Sequence, residues 1–366
     1  MKNFLFILTL FIFTSGCWNY QELSKYAIVT GMVIDIKDDE YIVSVLVSNT
    51  EKLNDSKSEI SILTGKGTTV FSALNDANLK SPKELYINHL SVVLVSENLA
   101  RNGISDVLDY LLRNKQEHQN FYILIVKDSL VDDELTIISP LAEYSDRNVK
   151  LIIENSKQLK GKINKGNFNE LIKDYIEPGI NIMLSSIFIE NEVVSKLDTF
   201  GLFKNDKLVD WASKEESIGI NLLTNNISYF YINTPCNGGY ATTVIDHYKV
   251  DYIVEKSRII INTFTEGYLS EITCNINLNN KNSLKNLEQA TGNEIEQYMF
   301  LAISKAKNLK TDTFGFGKMI YKEYPTYFKS IENWNEEFIN LKFEININFK
   351  YKNTESIGQS LEEFVK

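Results

Sequence analysis

Three cysteines and three histidines carry most of the nucleophilic and metal-binding potential of this 366-residue chain. A zinc site needs three or four ligands held at short His and Cys spacings. His89, His118 and His247 share no such spacing with one another or with Cys17, Cys236 and Cys274, so no metal is expected and each histidine reads as a surface or satisfied core residue. Gly65-Lys66-Gly67-Thr68-Thr69 precedes a helical pattern, but it lacks both the Gly-Lys-Ser/Thr ending of a phosphate loop and the third glycine of a dinucleotide turn. A strand exit followed by a threonine helix cap accounts for it better. Asp132-Asp133-Glu134 and Asp246-His247 are the local clusters that invite acid–base chemistry, yet neighbours in a strand point to opposite faces, and surface solvation is the simpler account. No Gly-x-Ser-x-Gly elbow occurs. These residues point to a chain that is not an enzyme and carries no cofactor.

Cys17 differs through what precedes it. Met1-Lys2-Asn3 carries one positive side chain, Phe4 to Phe13 is apolar except for Thr9, and Thr14-Ser15-Gly16 supplies small residues before the thiol. This is the n-, h- and c-region order of a signal peptide. Its ten-residue apolar core spans about 15 Å as a helix, roughly half the hydrocarbon thickness of a bilayer, and is too short to span it. Small-small-Cys at such a site resembles a bacterial lipobox, whose cysteine is acylated before cleavage, with Thr14 standing where Leu is most common. Residues 1–16 are therefore expected to be removed, and Cys17 to become a lipid-bearing first residue. An ordinary secretory signal with an incidental thiol is the weaker alternative. Cys236 and Cys274 lie 38 residues apart. A disulfide between them is permitted outside the cytoplasm, but two buried free thiols are the expected state, because a domain of this size needs no staple.

The elements that must position these residues follow from hydrophobic periodicity. Tyr26 to Ile36 and Tyr41 to Ser48 are rich in β-branched residues and flank the polar Lys37-Asp38-Asp39-Glu40, which predicts a hairpin. A short strand at Ile60 to Leu63, a helix near Thr69 to Leu79 with Val70, Phe71, Leu74 and Ala77 on one face, and a strand at Leu90 to Val95 come next. Ile104, Val107, Leu108, Leu111 and Leu112 form the stripe of a second helix before a strand at Phe121 to Val126. Strand and helix alternating in this way imply parallel crossovers in a mixed sheet. Leu135 to Glu177 reads as helical and polar. Short strands at 180–189, 199–203, 208–211 and 227–232, with a helix at 215–223, suggest a small middle unit that ends near the turn Thr234 to Gly239. Beyond it, runs at 242–254, 258–264 and 271–278 look like an antiparallel meander. A helix from near Ser283 to Leu309, with Leu284, Leu287, Thr291, Ile295, Tyr298, Ala302 and Leu309 along one face, would cover that meander. Leu341 to Phe349 alternates as a half-buried strand.

The chain has 38 Lys and Arg against 48 Asp and Glu, a net charge of -10. Nucleic acid is not an expected partner, since phosphate tracking depends on clustered Lys and Arg. Several blocks share a further likeness. Cys17-Trp18-Asn19-Tyr20-Gln21-Glu22-Leu23 resembles the C-W-D-x-x-E-[LI] opening of the spore germinant-receptor C subunits, the Ger(x)C lipoproteins, with Asn19 in place of the usual Asp. Gly67 to Leu79, Glu84 to His89 and Gly103 to Arg113 are similar to successive blocks of that family, His89 being the matching histidine. So are Gly201 to Val209, Asp312-Thr313-Phe314-Gly315-Phe316-Gly317, Tyr324-Pro325 and Trp334. The resemblance implies a three-domain α/β (α+β) lipoprotein on the outer face of the inner spore membrane. Its partners would be the multi-pass A and B subunits of a nutrient receptor. The expected division is a signal peptide at 1–16, an N-terminal α/β domain at 17–178, a middle domain at 179–238 and a C-terminal sheet with its long helix at 239–366. A membrane-anchored solute-binding lipoprotein is the alternative, and it would require a ligand cleft.

Overall fold

The structure is a computed structural model and describes residues 25–48, 60–113, 120–127, 166–190, 193–227, 229–278 and 280–352. β1 (Tyr26–Lys37) and β2 (Glu40–Ser48) form the expected hairpin, with Lys37 opposite Glu40. Asp38 and Asp39 both adopt positive φ, the two-residue turn geometry whose twist matches that of the strands. β3 (Ile60–Gly67) pairs antiparallel with β2 and runs four residues past the apolar stretch that announced it. α1 (Val70–Leu79) starts at Thr69, whose side chain accepts from the Ser72 amide at 3.1 Å in a capping box. It packs on its small residues Val70, Ala73 and Ala77, because Gly65 beneath it lets the two backbones touch: a Cβ there would lie 2.1 Å from the Ala73 carbonyl. Phe71, expected on the buried stripe, is instead 64% exposed.

β4 (Glu84–Tyr86) and β5 (Val92–Ser96) both pair parallel to β1, and β6 (Tyr122–Lys127) pairs parallel to β5. Between β5 and β6 lie α2 (Glu97–Asn102) and α3 (Ser105–Arg113), the latter burying Val107, Leu108 and Leu111 with Leu112 turned outward. Of the helical stretch expected at 135–177, residues up to 165 fall outside the described residues, and the remainder holds α4 (Phe168–Ile176). β7 (Met183–Glu190) is parallel to β6, and β8 (Val193–Lys204) and β9 (Lys207–Trp211) close the sheet antiparallel. The order is β3-β2-β1-β5-β6-β7-β8-β9, with β4 beside the start of β1. One face, including Val93, Val95, Ile123 and Ile125, is covered by α1 to α4.

The other face, with Val92, Leu94, Leu124 and Phe200, runs into a core shared with the second sheet. That sheet contains β10 (Phe230–Cys236), β11 (Gly239–Val254), β12 (Arg258–Ile272) and β13 (Lys342–Tyr351) in sequence order. α5 (Lys214–Leu223) and α6 (Lys281–Leu309) supply apolar residues to the shared core. α6 passes Gly292 unbroken for 29 residues.

Four features differ from expectation. The stretch 179–238 does not stand apart: β7, β8 and β9 extend the first sheet, and β10 begins the second, with Asn237-Gly238 forming the hairpin turn from β10 to β11. The runs at 258–264 and 271–278 do not make two strands, because β12 continues through Gly267 to Ile272. β13 joins β12 in parallel while its neighbours are antiparallel, since α6 and the short helices α7 (Phe316–Glu323), α8 (Pro325–Lys329) and α9 (Trp334–Glu337) form the crossover that parallel pairing requires. Finally, Cys236 and Cys274 are not free thiols but a disulfide. The β10–β11 turn and the Ala241–Ile272 pairing bring them to one end of the sheet with Cα atoms 5.8 Å apart, within bridging range.

Candidate functional site

The most concentrated polar construction among the described residues is built on Asp312, just past the end of α6. Lys310, left-handed at φ 56°, ends that helix, and the chain turns back through Asp312-Thr313-Phe314-Gly315-Phe316-Gly317. Asp312 is fully buried. Its Oδ1 accepts from the amides of Phe314 (3.2 Å), Gly315 (2.9 Å) and Phe316 (3.2 Å), and its Oδ2 from the Gly317 amide (2.7 Å) and the Trp334 indole (3.0 Å). Five donors converging on one carboxylate make a nest for its charge. Burial pushes its pKa up to about 6 against the pull of those donors.

This loop also grips the connection between α4 and β7 that leads into the first sheet. The Asn181 amide donates to the Asp312 carbonyl at 2.7 Å, and the Asp312 amide returns a bond to Asn181 Oδ1 at 2.8 Å. The Lys318 amide donates to the Gly179 carbonyl at 3.0 Å. Gly179 sits at φ 78°, and a Cβ there would fall 2.4 Å from the Gly317 carbonyl carbon, so only glycine permits this backbone contact. Gly317 in turn lies under the Trp334 indole. Beside the joint opens a cleft of about 480 Å³ whose walls include Asp174, Glu177, Asn226, Tyr252, Lys318 and Lys322. Lys318 and Glu177 face each other across it at 3.8 Å. A second cleft, of about 630 Å³, lies between α1 and α3, where the Tyr41 hydroxyl donates to Asp106 at 2.9 Å beneath Phe71 and Tyr110.

The residues singled out in the sequence are scattered. Cys17, His118 and Asp132 to Glu134 lie outside the described residues. His89 is exposed, its ring 5.7 Å from that of Tyr86, and His247 is exposed on β11. Asp246 pairs with Lys352 at 2.9 Å. Among the described residues no group of three or more His, Cys, Asp and Glu is placed to hold a metal ion, and no helix is long and apolar enough to cross a membrane. In the sequence Asp312 stands out only within the family-like block 312–317, and nothing there links it to Gly179. The sequence signal that could have paired them is an Asp followed by glycines at i+3 and i+5, the pattern of a loop folding its amides onto a carboxylate.

Two family models divide the chain. The spore germination protein N-terminal domain matches residues 19–189, and the spore germination B3/GerAC-like C-terminal model matches residues 198–355. The chain belongs to the GerAC-like spore germination family. The first model ends at residue 189 in β7 and the second begins at residue 198 in β8, so the later part of β8 and all of β9 in the first sheet belong to the C-terminal one. Among GerAC-like relatives, spore germination protein KC of Bacillus subtilis (strain 168) is 23% identical over 358 residues, covering 88% of both chains. Spore germination protein GerQC of Bacillus cereus is 22% identical over 96% of this chain and 98% of its own. The crystal structure of the GerBC protein has the same fold, with a TM-score of 0.53 at 20% identity over 88% of this chain and 97% of that one.

Proposed function

We propose that this chain is the lipid-anchored C subunit of a nutrient germinant receptor, required for spore germination and not itself an enzyme. The observation that carries this reading is membership of the GerAC-like family along nearly the whole chain, joined to a thiol at Cys17 directly behind a signal-peptide pattern. Residues 1–16 are removed, Cys17 receives the acyl groups, and the body hangs on the outer face of the inner spore membrane beside the multi-pass A and B subunits. Two or three acyl chains at about 0.8 kcal/mol per buried CH2 hold a protein on a bilayer far more firmly than one. The body's contribution is surface: a rigid pair of sheets locked at the Asp312 joint and presented to membrane partners. Germination of a strain lacking the gene tests this, with loss of the response to one class of nutrient expected and an unchanged response contradicting it.

The solute-binding alternative draws on the cleft at the joint, whose walls carry both carboxylates and ammonium groups. Calorimetry of the purified protein against amino acids and sugars separates the two readings. The receptor-subunit reading expects no tight binding, and a saturable micromolar isotherm would favour the alternative.

A further inference from the structure

We propose that the end of the first sheet where β1 starts rests against the headgroup zone of the bilayer, so that the anchored protein has one fixed orientation on the membrane. The inference builds on Cys17 as the anchor. Only eight residue steps separate Cys17 from Lys25, the first described residue. A fully extended chain covers about 3.3 to 3.6 Å per residue, so Lys25 can lie no more than about 29 Å from the lipidated residue. The surface around that point therefore stays within tether reach of lipid whatever path the connecting residues take.

What stands at that surface suits an interface between water and lipid. Tyr26 lies with its ring 5.0 Å from that of Tyr86, and Tyr86 is followed by the exposed His89. The Leu85 amide donates to Asn78 Oδ1 at 2.9 Å, which fixes the end of α1 beside β4. The next residue, Leu79, is 81% exposed, the highest value for a large apolar side chain among the described residues. Lys25 and Lys80 are exposed next to this group, and Lys83 is half-buried. Lys80 holds Asp76 at 2.8 Å, and Glu84 is the other acid at this edge. Tyrosines at the headgroup level, an apolar side chain directed past them and lysines with long aliphatic stems are the groups that membrane interfaces favour. The charge argues the same way. The chain as a whole carries 48 acidic against 38 basic residues, while among the described residues this edge sets Lys25, Lys80 and Lys83 against Asp76 and Glu84, a balance that favours an anionic leaflet more than the chain's average does.

The test uses the full lipidated chain in vesicles of phosphatidylglycerol and phosphatidylethanolamine. A fluorescent probe is placed at Leu79→Cys in one sample and at Phe300→Cys in another, Phe300 being 62% exposed on α6. The Cys236–Cys274 pair is already bonded and leaves the introduced thiol as the labelling point. With a quencher carried on the lipid near the headgroups, emission should be lost at position 79 and kept at position 300. Equal quenching at both positions, or none at position 79, would overturn the orientation. So would quenching protection at position 79 that appears only when receptor partners are co-reconstituted, which would make this edge a protein interface. The mass of the mature N-terminus is measured first: an unmodified Cys17 removes the anchor reading and this inference together, whereas a lipidated Cys17 with no quenching at position 79 removes only this inference.

Discussion

The two sheets solve the same problem differently. The first is covered on both faces: β5 is buried at every position, and β6 at all but its last. Its strands read as continuous apolar runs, as parallel strands under crossover helices do. The second sheet is covered on one face only. β13 alternates between exposed and partly buried residues, and Phe264, Tyr268 and Ile253 stand on the open side. Under its covered face a polar chain runs through the packing: the Thr291 hydroxyl of α6 meets Thr234 at 3.0 Å and the Tyr351 hydroxyl at 3.2 Å, and Tyr351 reaches Thr243 at 2.7 Å. A sheet with two apolar faces draws most of its support from burial. One with a single face draws on local clamps, here a long helix, a disulfide and the Asp312 nest.

That contrast can be broken by attacking the clamps, and the largest effect is expected at α6. Leu287→Asp or Ile295→Asp places an unpaired charge on its buried face, at a cost on the order of several kcal/mol, and should unfold the second sheet, whereas Lys285→Ala on the exposed side should leave the melting temperature nearly unchanged. Equal melting temperatures for the three variants would show that α6 is not the cover described. Next comes Asp312→Ala, which strands five N–H donors in the interior. A loss of about 3–5 kcal/mol in denaturant unfolding is expected, as large as that of a core truncation such as Leu94→Ala in the first sheet. A loss under about 1 kcal/mol would reduce the nest to decoration. Removing the disulfide with Cys236→Ala and Cys274→Ala together should cost about 2–4 kcal/mol, read as a shift in the unfolding midpoint. The smallest effect belongs to Phe71→Ala. With its ring exposed, it should change stability by less than about 0.5 kcal/mol, and a larger drop would place Phe71 back in the core where its helical spacing first put it.

The contrast also explains which parts were legible. Runs such as Phe121 to Val126 announce buried parallel strands because every side chain is apolar, and the mixed first sheet follows from their alternation with helices. Phe71 misled because spacing alone cannot show that a glycine below the helix draws its small residues inward. The parallel β13 was hidden for a topological reason: alternation reports which face of a strand is buried, not the direction of its neighbour. The disulfide was permitted but not expected, because chain size argues against a staple and a separation of 38 residues says nothing until the Ala241–Ile272 register is known. Asp312 was in view as part of a motif, but its partners Gly179 and Asn181 lie more than a hundred residues earlier, and only the folded chain brings them together.

The proposed role in germination from a lipid anchor at Cys17 is open to a direct test. The most direct measurement compares a deletion strain complemented with the wild-type gene and with Cys17→Ala, scoring incorporation of labelled fatty acid alongside nutrient-triggered germination. The wild-type protein is expected to carry label and restore germination, while the Cys17→Ala protein carries no label and restores it poorly. Label on the Cys17→Ala protein, or full germination without the gene, would contradict it.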